Sequence, residues 1–293
     1  MLIWAGAGIA VKEALLVFPP LTLIVVRFTL AVLLMLTIGL IFRHSEILGL
    51  QRPEKQDIPL FILGGLFQPF LYFIFETYTY QSFDSPTIAE ALLSTQPVMA
   101  PIFALVLLRE RITRNNIIGI LLSTVGMLIL LLVGSNNFAL GNPWGILLAF
   151  LTVSMSVSYS VILRRVPSRY SPLTIVFYVQ LFSLCLFYPL WGFTEAGQFL
   201  HDTTPWLQHM TPLLAVLYLA IFASVAAFVL FCYTVRQIGV TRANVFNNVR
   251  PIFTALLMWL VFDEVLPVWK VIGIIIIILG LFISQRYEKY NNN

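Results

Sequence analysis

The residues of this chain best able to do chemistry lie in TRANVFNNVRPIFTALLMWLVF, residues 241–262, an apolar run that holds Asn244, Asn247, Asn248 and Arg250 and then Pro251. In a helix turning about 100° per residue, the three asparagines and the proline share an arc of about 100°, with Arg250 about 60° beyond Asn247. Amides donate and accept directional hydrogen bonds, and a guanidinium binds carboxylates. An arginine at the middle of a bilayer costs about 2.5–3.5 kcal/mol, so Arg250 should face a wet or polar interior. Pro251 removes one backbone hydrogen bond and frees a carbonyl about one turn earlier, near Asn247. Side-chain amides, water or a bound solute could satisfy it.

A second stretch, TIAEALLSTQPVMAPIF at residues 87–103, carries the same design. Glu90, Ser94, Pro97 and Pro101 recur on one face, with Gln96 standing where Arg250 stands. Two readings stay open for the amides: binding groups, or interhelical fasteners worth about 0.6 kcal/mol each, with Pro97 and Pro251 as kinks. Charge inside a span favours the binding reading for Arg250. Lys12, Arg27 and Glu76 sit nearer the expected ends of their segments, where snorkelling or mutual pairing competes with gating or ion coupling. Glu90 could pair with Arg27 or Lys12, or carry a coupling proton. Tyr72, Tyr159 and Phe228 are candidate aromatic walls, although aromatics in such a chain commonly just pack.

These residues need elements to position them, and composition says which. Apolar residues make up 59% of the chain and charged residues 10%, against about 25% charged in a soluble domain. Apolar segments of roughly bilayer length recur at 2–18, 21–42, 58–80, 86–108, 113–134, 142–163, 171–192, 212–235, 241–262 and 267–285. Lipid offers backbone amides no partner, so all ten should be helical: the expected fold is an all-α integral membrane protein. Lipid bilayer and a small-molecule substrate are the partners this implies, and a homodimer is left open. With the N-terminus inside, thirteen Lys and Arg fall in inner loops and tail and two at outer ends, which predicts cytoplasmic termini in a plasma membrane of the bacterial inner-membrane kind.

Several function classes drop out. The net charge of +4 is dispersed over short loops, so no stripe suits nucleic acid. His44, His201 and His209 fall in loops and form no HExxH motif, which argues against an intramembrane enzyme. Cys185 and Cys232 sit in apolar runs, so neither a disulfide nor a metal site is expected, and no cofactor is called for.

Shifting the chain by 154 residues aligns the two stretches without a gap: Thr87 with Thr241, Ala89 with Ala243, Pro97 with Pro251, Glu110 with Glu264, Gly119 with Gly273 and Gly126 with Gly280. Pro20-Leu21-Thr22 likewise matches Pro172-Leu173-Thr174 at a shift of 152. The chain therefore divides into two five-segment units, 1–134 and 135–293. Five is odd, so the second unit enters the membrane from the opposite side, an inverted repeat of the kind that builds secondary transporters around a site at the bilayer middle. The glycines, with Ser123, suit close helix contact.

QPVMAPIFALVLLRERITRNNIIGILLSTVG and RPIFTALLMWLVFDEVLPVWKVIGIIIIILG, with Trp4 to Gly6, Lys12 and the Pro20 to Arg27 spacing, resemble the EamA-type members of the drug/metabolite transporter superfamily along essentially the whole chain. The resemblance implies ten helices moving amino acids or related metabolites, often outward, by alternating access. It implies a cavity lined by the first, third, fourth, sixth, eighth and ninth helices, with the fifth and tenth behind, and puts Glu90, Ser94, Asn244, Asn247 and Asn248 around it. Carriers of lipid-linked or nucleotide-linked sugars are the competing reading; a channel or an enzyme ranks lower. Two departures stand out: the first segment is short for a full span, and an arginine directly before the second proline is not a feature of that family.

Overall fold

The computed structural model describes residues 1–83, 89, 92–93, 95–108, 113–132, 142–197, 210–249, 252–253, 256–257 and 268–285. Glu110 and Glu264 lie outside them. Among the described residues the chain is helical, with no strand. In chain order the helices are α1 (Leu2–Leu15), α2 (Pro20–Ile41), α3 (Ile58–Gln81), α4 (Gln96–Phe103, continued by a π turn at Ala104–Leu108) and α5 (Arg114–Leu132). They continue with α6 (Pro143–Arg165), α7 (Pro172–Thr194), α8 (Met210–Ile238), α9 (Val240–Val245, continued by a 3₁₀ turn at Phe246–Val249) and α10 (Val268–Gln285).

Five of these, α2, α3, α6, α7 and α8, run 22 to 29 residues and are apolar enough to cross a bilayer. At about 1.5 Å per residue the shortest of them reaches about 33 Å, the thickness of a hydrocarbon core. α1 has 14 residues, about 21 Å, and remains short of a full span.

Helix starts follow local chemistry. Pro20, Pro143 and Pro172 each open a helix at a position where the missing N–H costs nothing. Asn142 caps α6 by accepting from Trp144 N (3.1 Å), and Ser171 caps α7 by accepting from Thr174 N (3.0 Å). Thr113 and Asn116 exchange hydrogen bonds at the head of α5, as in a capping box. Between α8 and α9 the chain reverses at Gly239 (φ 85°), a left-handed conformation that glycine adopts without a Cβ penalty.

Two long helices carry π turns at related places, Leu66–Leu71 in α3 and Leu219–Ala226 in α8. In α3 the distortion coincides with Gln68-Pro69, where Gln68 leaves helical geometry (φ −149°, ψ 117°). In α8 no proline is involved.

The helix neighbours obey the shift that aligns the two halves. α1 packs on α8 as α6 packs on α3, and α2 meets α8 as α7 meets α3. α2 with α7, α4 with α9, and α5 with α10 pair with their own counterparts. At the last pair a Cβ on Gly119 would meet Gly280 O at 2.5 Å, and one on Gly126 would meet Gly273 O at 2.8 Å. Gly119 with Gly280 becomes Gly273 with Gly126 when each residue is moved to its counterpart in the other half, and these contacts run antiparallel.

The main core lies between α2, α3, α6, α7 and α8, where Phe28, Phe61, Tyr159, Phe187 and Phe228 are fully or almost fully buried. Leu33, Leu40, Phe150, Leu230, Leu279 and Phe282 point outward, all more than half exposed. An apolar outer surface of this extent suits lipid and not water.

Candidate functional site

Side chains from seven of the described helices converge on one cavity of about 50 Å³. Trp4, Gly8 and Val11 come from α1 and Arg27 from α2. Gln68, Tyr72, Phe73, Glu76 and Tyr80 form the α3 wall. Gln96 of α4, Ser156 of α6, Phe228 and Phe231 of α8, and Asn247 of α9 complete it. One water needs about 10–15 Å³ by this measure, so this conformation has room for a few waters. Among the described residues, α5 and α10 contribute none of this lining. Compared with the wall implied by family resemblance, α2 is an addition, through Arg27.

Arg27 is 3% exposed. It therefore reaches no surface, and snorkelling does not describe it. Its Nε donates to Ser224 Oγ at 2.6 Å, and its guanidinium lies 4.6 Å from the centre of the Phe73 ring. Ser224 belongs to the π turn of α8, and the local geometry explains its place. A π turn disturbs the regular ladder and loosens carbonyls. Trp4 Nε1 donates to Ala223 O (3.2 Å) and Gln180 Nε2 to Ser224 O (2.6 Å). The distortion that recruits those donors also presents the Ser224 hydroxyl to Arg27. On the α3 wall, Tyr72 OH donates to Glu76 Oε1 at 2.7 Å.

A second polar group joins α4, α6 and α9. Gln96 Nε2 donates to Asn244 Oδ1 (2.5 Å) and to Ser156 Oγ (2.9 Å). Asn247 Nδ2 donates to the same Asn244 oxygen (3.2 Å), while Asn244 Nδ2 donates to Val240 O (2.8 Å). Asn244 is fully buried and absent from the cavity wall, so it is the knot of this network, while Gln96 and Asn247 face the cavity. Gln68 Oε1 is buried at the cavity with no hydrogen-bond partner among the described residues.

Of the aromatic candidates, Tyr72 and Phe228 line the cavity. Tyr159 does not: it is fully buried and packs edge-on against Phe228, with ring centres 6.2 Å apart. Glu90, Ser94, Arg250 and Pro251, and the side chains of Lys12, Pro97 and Asn248, lie outside the described residues. Sequence reasoning missed Gln68, Ser156, Ser224 and Gln180. Gln68 carried a signal, an amide directly before a proline inside an apolar run. The other three are small or neutral residues that only the three-dimensional packing picks out.

One end of the bundle is closed by polar contacts. Asp57 accepts from Tyr170 OH (2.7 Å) and pairs with Arg169, which also meets Glu54 at 3.0 Å. Arg236 at the end of α8 donates to Tyr170 O (2.6 Å), Arg164 donates to Arg236 O, and Arg165 donates to Leu107 O (2.7 Å). The contacts tie the segment before α3 to the ends of α4, α6 and α8. The hydrogen bond from Tyr170 and then the Arg169 guanidinium hold the Asp57 carboxyl below its ordinary value. A larger hollow of about 570 Å³ lies here, but its arginines, Arg169 and Arg236, are already engaged. The central cavity, with buried polar groups turned into it, is the better candidate site.

Comparison with known proteins bears on the fold and the family. An Archaeoglobus fulgidus protein named "Uncharacterized transporter" is 24% identical over 284 residues, covering 97% of this chain and 95% of its own. "Uncharacterized transporter YetK" of Bacillus subtilis is 28% identical over 244 residues (82% and 72%), and "Uncharacterized transporter YyaM" of the same organism is 26% identical over 270 (90% and 85%). A solved crystal structure superposes with a TM-score of 0.77 over 97% of this chain and 94% of that one, at 23% identity, a likeness of fold. Residues 1–132 and 143–285 both match the EamA-like transporter family. The chain is a multi-pass, helical membrane protein that belongs to the EamA-like transporter family.

Proposed function

We propose that this protein is a secondary transporter that exports amino acids or related small polar metabolites across a plasma membrane, by alternating access around the central cavity. The observation that carries the reading is the position of that cavity: it is walled by helices of both halves and lined by polar and aromatic side chains together. The reciprocal glycine contacts of α5 and α10 support two inverted five-helix units, 1–134 and 135–293, whose termini share the cytoplasmic side. Units related in this way rock about a site on their common axis. A cavity of about 50 Å³ is too small for an amino acid, so the walls must part to admit one. The polar contacts around Asp57 and Tyr170 then act as the closure on one side. Glu90, Ser94, Asn248 and Arg250 are further binding residues in this proposal, Lys12 and Glu76 serve gating or coupling, and Pro97 and Pro251 are its proposed kinks.

The test is reconstitution of the purified protein in proteoliposomes, loaded with one amino acid and challenged outside with a labelled one. Exchange of amino acids is expected, and Arg250→Ala should lower it severely with little change in melting temperature. Exchange of nucleotide-linked sugars with no movement of amino acids would overturn the reading.

A further inference from the structure

Arg27 is the cationic side chain that the described residues bring to the cavity, and its setting is specific. Its Nε is committed to Ser224 Oγ at 2.6 Å. Its plane is held by Phe73, at 4.6 Å, and by its neighbour Phe28, at 5.2 Å. A guanidinium fixed at Nε and across its face has one feature left to offer, the fork of its two terminal nitrogens. Among the described residues no acceptor takes a hydrogen bond from that fork. Glu76 and Tyr72 act on Arg27 electrostatically from the same cavity, and a planar fork matches a carboxylate with two parallel hydrogen bonds.

We propose that Arg27 reads the carboxylate of the transported molecule, and that this molecule is a small zwitterion. The inference rests on the transporter reading above and names the residue that sets its selectivity. The second half of the claim comes from Glu76, whose carboxyl lines the same cavity and accepts from Tyr72 OH. A plain anion would meet Arg27 and be repelled by Glu76, whereas a molecule with an ammonium group offers each charge its opposite. Trp4, Phe73, Phe228 and Phe231 supply an apolar wall for a side chain between the two. Ser224 is a positioning residue: it touches Arg27, and its own carbonyl is held by Gln180 at 2.6 Å.

The experiment measures thermal stabilisation of the purified full-length protein by L-leucine and L-threonine and by their carboxamides. In the wild type each amino acid should bind about tenfold or more tightly than its amide, the scale of one charge-assisted hydrogen-bonded pair. Arg27→Ala and Arg27→Gln should erase that preference. Arg27→Lys should keep part of it, since the charge survives and the fork does not. Ser224→Ala should weaken the amino acids and leave a reduced preference. Equal binding of amino acids and amides by the wild type, or a preference that survives Arg27→Ala, would overturn the inference while leaving the transporter reading intact. No response to either amino acid overturns the inference as well, and stabilisation by a nucleotide-linked sugar in their place would take the substrate reading with it. If Arg27→Ala does not fold, the loss in Arg27→Gln and the partial preference of Arg27→Lys decide.

Discussion

Asn244 and Arg27 show how differently two polar residues in apolar helices can be used. The Asn244 amide oxygen takes hydrogen bonds from Gln96 and Asn247, and its nitrogen is bound to a carbonyl of its own helix. It has little left for a ligand. Asn244→Leu should therefore lower stability by about 1 kcal/mol, the upper range for one polar contact between membrane helices, and weaken transport only partly. Gln96→Leu removes a group that faces the cavity and should cost transport more than stability. Unfolding in detergent and exchange in proteoliposomes separate the two effects. The amide stripe of α9 was legible because asparagines in an apolar run have few reasons to be there. Arg27 was visible as a charge, but its burial was not, because its partner Ser224 lies 197 residues away in the chain.

Helices were the most legible elements. The apolar segments locate the ends of α2, α3, α6, α7 and α8 within three residues, since bilayer thickness fixes span length and Pro, Asn and Ser mark the starts. The π turns were not legible. In α8 nothing local signals one, and its stabilising donors, Trp4 and Gln180, come from other helices. Glycines at α5 and α10 give a sharp prediction. A Cβ on Gly280 would stand 2.5 Å from Ser123 N, whereas one on Gly192 meets nothing within 4 Å. Gly280→Ala should destabilise by about 1–3 kcal/mol, and Gly192→Ala should stay within about 0.5 kcal/mol.

At the head of α3, Asp57 gives a pH signature. Its carboxyl is held below the ordinary value of 3.8, chiefly by the Tyr170 hydroxyl. A lowered folded-state pKa contributes stability that is present above the ordinary value and lost as the pH falls through the folded one. Asp57→Asn should therefore melt below the wild type at neutral pH, and the gap should close as the pH drops below about 4. A gap that stays constant across that range would show that Asp57 does not act through its charge.

On the scale of the molecule, the 154-residue shift read from the sequence also relates the helix neighbours to one another, and residues 1–132 and 143–285 match one family. What the shift could not disclose is where the halves differ. The α3 turn coincides with Gln68-Pro69, whereas its α8 counterpart holds Ser224, whose hydroxyl accepts from Arg27 at the cavity. The central claim is that this cavity opens in turn to the two faces of the membrane. The most direct measurement replaces Cys185 and Cys232, places a single cysteine at Phe228 on the cavity wall, and labels it with an impermeant maleimide in vesicles of each orientation. The account predicts labelling from both faces, with amino-acid substrate shifting the balance between them. Labelling from one face only, unchanged by any substrate, would contradict it.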